Sequence, residues 1–261
     1  MLGIISIDST PMIFITLSIL VLIFVLMLIY EHQTIIYFHT VVRIQQWLRG
    51  KSLNVSGLPA NCKQITRLIK HVQHATKGKN TIIDLGSGDG QALACICKLL
   101  DKKSLYKKTR LAGVEIDADA CAVAHNKFRE RRPKVDIFCA DLLNVDWNTI
   151  VPSSESGNTI TFFIYETFWD TDDPNEMMKN MMEGIVKYFG NDKTIYIAYM
   201  SGLMERSLDP QSTRILKQNK FKIVYNAMPW IDHIIAHTPL KYLLVRCQFL
   251  AVRKPRKITG S

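Results

Sequence analysis

The 261-residue sequence lacks the common patterns for metal or phosphate binding. It has no C-x-x-C pair and no histidine–cysteine cluster at metal-ligand spacing, so we predict no metal site. Its only Gly-Lys-Ser, at Gly50 to Ser52, has Gln45 where a P-loop needs its first glycine. Internal repeats, low-complexity tracts and recognisable nucleic-acid modules are also missing. These absences disfavour zinc modules, P-loop nucleotide hydrolases and nucleic-acid binding.

Cysteine is scarce and scattered, with six residues in the chain. Most of them lie within apolar runs, where a free thiol behaves as a small hydrophobic side chain. This distribution predicts buried free thiols in a reducing compartment rather than a disulfide framework. The six residues are Cys62, Cys95, Cys97, Cys121, Cys139 and Cys247.

Charge is absent from Ser9 to Tyr30, and this stretch is mostly apolar. About 20 such residues in a helix cross the hydrocarbon core of a bilayer. A cleaved signal peptide or a transit peptide would carry basic residues early, but none precedes Arg43. The sequence predicts one transmembrane helix within residues 1–31, followed by a juxtamembrane helix and linker over residues 32–60.

Basic residues follow this stretch and do not precede it, which predicts an outside N-terminus and a catalytic domain facing the cytosol. The net charge of +10 suits either anionic lipid headgroups or an ordinary solvated surface. The basic residues nearest the stretch are Arg43, Arg49, Lys51, Lys63, Arg67 and Lys70.

The most informative segment is Thr81 to Gly90, which reads TIIDLGSGDG. A β-prone run ends there in alternating glycines and opens into an apolar helix, an arrangement that brings bare backbone against a ligand. A dinucleotide-binding loop would need a third glycine where Gln91 stands. The carboxylate of Asp84 favours a cationic or hydroxyl-bearing ligand over a phosphate.

Two further apolar runs end in acids, at Glu115 and at Asp141. In an open parallel sheet, ligands bind at the carboxyl ends of the strands where the strand order reverses. An acid at such a position can accept hydrogen bonds from both hydroxyls of a ribose. Each acid can equally cap the helix that follows it.

This ordered set resembles the class I (seven-strand) S-adenosylmethionine-dependent methyltransferases over roughly Asn61 to Arg253. The resemblance implies an α/β fold with a Rossmann-like, mostly parallel seven-stranded sheet and an antiparallel last strand, over residues 61–261. It implies that Glu115 holds the ribose and Asp141 the adenine amino group. The cofactor-binding residues that it implies for S-adenosyl-L-methionine are Asp84, Gly86, Ser87, Gly88, Gly90, Glu115, Ile116, Asp141 and Leu142.

Substrate-facing residues of this family follow the fourth strand, predicted here over Thr159–Tyr165. The usual Asn-Pro element is replaced by Glu166-Thr167, which weakens any expectation of base methylation. Tyr165 and Glu166 are the predicted catalytic residues, with Glu166 orienting an amine or acting as a base. Glu166 can equally serve as a cap or a surface ion-pair partner.

The sequence therefore predicts a membrane-anchored methyltransferase whose acceptor is an amine of a protein lysine. Two alternatives remain: a membrane-proximal lipid or small amphiphile as acceptor, and a catalytically silent scaffold that keeps the fold. Methyl transfer from a sulfonium requires neither a metal nor a covalent nucleophile, and no motif for either is present.

Overall fold

The computed structural model describes residues 16–25, 62–76, 80–102, 108–131, 134–151, 159–165, 174–200, 210–226 and 248–255. The chain divides into two compact units, residues 1–53 and residues 54–261. Residues 16–25 of the first unit form a helix whose side chains are exposed. The predicted juxtamembrane helix and linker over 32–60 lie outside the described residues.

Strands and helices alternate through the described part of the second unit. The strands are β1 (Asn80–Leu85), β2 (Thr109–Glu115), β3 (Val135–Cys139), β4 (Thr159–Tyr165), β5 (Thr194–Met200), β6 (Lys222–Asn226) and β7 (Gln248–Arg253). The helices are α1 (Cys62–Thr76), α2 (Gln91–Lys102), α3 (Ala118–Phe128), α4 (Trp147–Ile150), α5 (Pro174–Phe189) and α6 (Pro210–Gln218).

The strands form one sheet in the order β3-β2-β1-β4-β5-β7-β6. The pairs from β3 through β5 are parallel, whereas β7 runs antiparallel to both β5 and β6. This confirms the predicted seven-stranded, mostly parallel sheet with an antiparallel last strand. Because β1 lies between β2 and β4, the strand order reverses on either side of β1, which is where such sheets bind ligands.

Each face of the sheet is covered by helices. The apolar face of α1 is fully buried with α2 and α3 against one face of the sheet. On the other face, the methionine-rich stripe of α5 is buried with Ile185 and Phe189, where methionine side chains fill the core.

Among the described residues, no helix has both the length and the apolar character needed to span a bilayer. Of the stretch from Ser9 to Tyr30, only residues 16–25 are described.

The prediction of free thiols was wrong for four of the cysteines. The structure pairs Cys62 with Cys95 and Cys121 with Cys139, at Cα–Cα distances of 5.2 and 5.9 Å. These pairs form because α1 packs on α2, and α3 on β3, at sequence separations of 33 and 18 residues that no local pattern reveals. Cys97 is a buried free thiol, as predicted.

Candidate functional site

The strand ends that carry the predicted site residues meet at one edge of the sheet. Leu85, the last residue of β1, is paired with Val114 of β2 and with Ile164 of β4. Glu115 at the end of β2 is paired in turn with Cys139 at the end of β3. The glycine loop, the two predicted acids and the end of β4 are therefore neighbours.

The glycine loop has the backbone shape that its composition predicted. Gly86, Gly88 and Gly90 all have positive φ, at 72°, 54° and 81°, a region that side-chain-bearing residues rarely adopt. The amides of Gly86 and Ser87 donate to the carbonyl of Val114 at 2.8 and 3.0 Å, which ties the loop to β2. The loop is thus fixed before α2 begins.

A glycine that sequence reasoning did not single out, Gly113 in β2, makes room for this loop. A Cβ at that position would lie 2.7 Å from Ser87 Oγ and 2.8 Å from Leu93 Cδ1, both too close for a real side chain. The available signal was a glycine inside a buried strand, which often marks a close backbone approach. The Ser87 side chain is accordingly turned toward β2.

Glu115 connects the glycine loop to the end of its own strand. Its Oε2 accepts from the Gly88 amide at 2.7 Å, and its Oε1 accepts from the amides of Ile116 and Asp117, both at 2.9 Å. A carboxylate accepts about four hydrogen bonds, so one position, on Oε2, remains for a ligand hydroxyl. The predicted ribose contact is compatible with this arrangement and stays a prediction.

Asp84 is a buried acid, and one of its carboxylate oxygens lacks a hydrogen-bond partner among the described residues. Its Oδ2 and the nearby Ser87 Oγ are both buried and have no hydrogen-bond partner among the described residues. Burial, and secondly the charge of Glu115, raise the pKa of Asp84 well above its ordinary value of 3.8. A cationic donor beside Asp84 would offset both the burial of its carboxylate and the repulsion from Glu115.

The carboxylate of Asp141 is hydrogen-bonded within a local turn. Its Oδ1 accepts from the Leu143 amide at 2.9 Å and its Oδ2 from Asn144 Nδ2 at 2.7 Å. Leu142 is partly buried against the core, whereas Leu143 is exposed. Ile116 is 71% exposed, the highest value among the large exposed hydrophobic side chains of the described residues. Ile116 and Leu143 therefore offer apolar surface at this edge.

Tyr165 ends β4 beside the glycine loop and is paired with Met200 of β5. Its side chain is partly buried against the core under α1 and α2. Glu166, the other predicted catalytic residue, lies outside the described residues.

Comparisons with solved structures identify the fold. An S-adenosylmethionine-dependent methyltransferase from Clostridium acetobutylicum ATCC 824 is similar over 87% of this chain and 99% of its own, with 12% identity and a TM-score of 0.50. A further S-adenosylmethionine-dependent methyltransferase, from Methanosarcina mazei, is similar over 71% of this chain and 98% of its own, with 12% identity and a TM-score of 0.46. The glycopeptide N-methyltransferase MtfA, solved with sinefungin, is similar over 72% and 86%, with 10% identity and a TM-score of 0.47.

No family model matches the sequence, and no curated protein matches it. At an identity this low, the likeness to the clostridial enzyme shows the fold alone. Residues 54–261 have the fold of the S-adenosylmethionine-dependent methyltransferases.

Proposed function

We propose that this protein is an S-adenosylmethionine-dependent methyltransferase. The observation that carries the proposal is the buried, unpartnered oxygen of Asp84 directly behind a glycine loop with three positive φ angles. A buried acid with a raised pKa is unfavourable for folding, and such groups are concentrated at functional sites. The fold adds support because its known members include enzymes of this class.

The residues at the strand ends fit the parts of S-adenosylmethionine. Asp84 suits the ammonium of the methionine portion, because an ion pair with a charged donor offsets the burial of a carboxylate. The remaining acceptor position of Glu115 suits a ribose hydroxyl. Ile116 and Leu143 supply apolar surface for a flat aromatic base, which would cover their exposed side chains.

The bound cofactor supplies an activated methyl group on a sulfonium. The protein then has to hold the acceptor in line with that group and exclude water. The glycine loop brings backbone close to the ligand, and Glu115 keeps the loop in place through the Gly88 amide. Tyr165, at the end of β4, is at the edge where an acceptor would approach.

The acceptor that we propose is a primary amine, most simply the side chain of a protein lysine. The support is the sequence of the β4 end, where Glu166 follows Tyr165 in place of an Asn-Pro element. A carboxylate orients an ammonium and favours its loss of a proton, whereas an Asn-Pro element is suited to planar nitrogens.

Cofactor binding and methyl transfer test the proposal together. We expect the full-length protein in detergent to bind S-adenosylmethionine and its demethylated product in calorimetry. We also expect it to transfer labelled methyl groups from the cofactor to lysine in the protein fraction of a lysate. Gly88→Val should abolish binding, because valine resists positive φ and fills the space against the ligand.

The matched control is Gly184→Ala in α5, where an added Cβ meets no atom within 4 Å. Label in the lipid extract instead of the protein fraction would reassign the acceptor to a lipid or amphiphile. Binding without transfer would identify a silent scaffold. No binding at millimolar cofactor would refute the enzyme proposal.

We further propose that an N-terminal helix anchors the protein in a membrane with the catalytic domain in the cytosol. The support is the uncharged stretch from Ser9 to Tyr30 and the exposed apolar side chains of the helix at residues 16–25. Exposed apolar surface of this kind is stabilised by lipid. The basic residues after the stretch favour this orientation.

The chain carries a natural reporter of this orientation in Asn54-Val55-Ser56, a glycosylation acceptor. In cells that glycosylate, we expect no glycosidase-sensitive mass shift, because Asn54 would face the cytosol. Asn54→Gln should leave the mobility of the protein unchanged. A mass shift in the wild-type protein that Asn54→Gln removes would place the domain on the opposite side.

A further inference from the structure

A cavity of about 660 Å³ follows one side of α2, in the groove between α1 and the end of α3. Its size is typical of sites for small molecules. Neither the glycine loop nor the acids at the strand ends line it. The residues that line it are Cys62, Gln91, Ala94, Cys95, Cys97, Lys98, Asp101, Lys127 and Arg131.

The Cys62–Cys95 disulfide lies in the wall of this cavity. Cys62 is exposed, whereas Cys95 is buried with 6% of its surface accessible. Attack is therefore assigned to the more accessible partner, Cys62, with Cys95 as the leaving group.

The charged side chains around this disulfide are mostly cationic. Lys98, Lys127 and Arg131 line the cavity against the single acid Asp101. Lys127 also binds Asp89 at 3.0 Å, and Lys98 and Arg131 are exposed. Three cations line the cavity that the disulfide also lines, one of them paired with Asp89, and this excess of positive charge attracts an anionic ligand and favours a thiolate over a thiol.

The second disulfide, Cys121–Cys139, also joins an exposed cysteine to a buried one, but the charged residues near it are acidic. Cys139 is exposed and Cys121 is buried, but Cys139 is paired in register with Glu115 and stands two residues before Asp141. The two disulfides differ in the neighbouring charge and in the cavity, which Cys62 and Cys95 line and which neither Cys121 nor Cys139 lines among the described residues. The chain thus contains its own control.

We propose that the cavity binds a small thiol that carries carboxylates and that the Cys62–Cys95 disulfide exchanges with it. This is a modification site on the outer face of α2, independent of the proposed methyl transfer.

In the exchange, the thiolate of the ligand attacks Cys62 Sγ and the bond to Cys95 breaks. The ligand becomes disulfide-bonded to Cys62, and Cys95 leaves as a thiolate that takes a proton from water. One disulfide is broken and one is formed, so the step needs no other oxidant or reductant. A second ligand thiol that attacks the mixed disulfide at the ligand sulfur releases the ligand dimer and leaves two protein thiols.

Cys97 does not compete as an internal nucleophile. Burial raises the pKa of its thiol to about 11, against the opposing effect of Arg131, so it stays protonated at neutral pH. The competing internal nucleophile is Cys95, whose attack on Cys62 Sγ expels the ligand and re-forms the disulfide, so the mixed disulfide is detected after acid quenching.

The test compares thiols of opposite charge on the full-length protein, with peptide mass mapping of both disulfides. We expect glutathione, which is anionic, to modify Cys62 about five- to tenfold faster than Cys139. Cysteamine, which is cationic, should reverse or abolish this preference. Methylation of a substrate is not measured, so failure here leaves the proposed function unaffected.

The variant Lys98→Gln/Arg131→Gln should remove the preference of glutathione for Cys62. Its matched control is Lys179→Gln/Lys217→Gln, which removes two exposed lysines on α5 and α6 and should have no effect. Equal rates at both disulfides with both thiols would overturn the proposal. Free thiols at Cys62 and Cys95 in the unreduced protein, or an unchanged preference in the cavity variant, would overturn it as well.

Discussion

The Asp84→Asn variant should bind S-adenosylmethionine about 10²-fold or more weakly than the wild type, which corresponds to about 3 kcal/mol. The same change should leave the cofactor-free protein equally stable or more stable. The two effects have opposite signs because the buried carboxylate is unfavourable when it is alone and favourable when it faces an ammonium.

The dependence of stability on pH follows from the upward shift of the Asp84 pKa. Because the pKa of Asp84 in the folded protein is raised above its ordinary value of 3.8, the folded state binds a proton more tightly than the unfolded chain. The free energy of unfolding contributed by this group is therefore greatest at low pH. It falls as the pH rises from about that ordinary value through the raised pKa. The side-chain amide of the Asp84→Asn variant has no such titration.

Thermal unfolding without cofactor, from pH 5 to pH 8, measures this difference. We expect the melting temperature of Asp84→Asn, relative to that of the wild type, to increase as the pH rises. The control is Asp192→Asn, an exposed aspartate in the turn before β5, at the opposite edge of the sheet. Unchanged cofactor affinity in Asp84→Asn would assign the acid to packing alone and remove the main support for the proposed function.

The sheet and the glycine loop could be predicted because local composition determines them. The positive φ angles fall on Gly86, Gly88 and Gly90, where glycine is the residue that adopts them without strain. Strand β4 has the predicted bounds, and β1 to β3 end within two residues of the predicted acids. Apolar periodicity and turn residues were sufficient for these features.

The partners of individual side chains could not be predicted, because they depend on register across the sheet. The bond between Glu115 and the Gly88 amide spans 27 residues and exists because β2 lies beside β1. The pairing of Cys62 with Cys95 likewise depends on how α1 packs on α2. Asp141 shows another such case, because its carboxylate is hydrogen-bonded within a local turn, whereas the cap of the following helix is Asp146.

Glu166 directly follows strand β4 in the sequence. Ile164 is paired with Leu85, so the chain leaves β4 level with the start of the glycine loop, and Tyr165 is the last residue of the strand. Glu166 is the next residue in the sequence, and we propose that it acts at this edge, where the methyl group would be presented. An amine acceptor arrives as an ammonium and must lose a proton before its lone pair attacks.

Glu166→Gln should therefore lower turnover by about 10²-fold or more, the usual scale for a positioned acid–base group. Glutamine keeps the size of the side chain and some hydrogen bonding, but it removes the charge that orients and deprotonates the amine. Cofactor affinity should stay nearly unchanged, because the cofactor contacts proposed above come from other strand ends. Steady-state kinetics with a lysine-containing acceptor and calorimetry with the cofactor separate the two quantities.

The matched control is Glu183→Gln, an exposed glutamate on α5 whose substitution should affect neither turnover nor binding. A parallel loss of turnover and cofactor affinity in Glu166→Gln would indicate a collapsed site and not a missing base. Equal turnover in Glu166→Gln and the wild type would make Glu166 a structural residue. The case for an amine acceptor would then lose its support, while cofactor binding through Asp84 and the glycine loop would still stand.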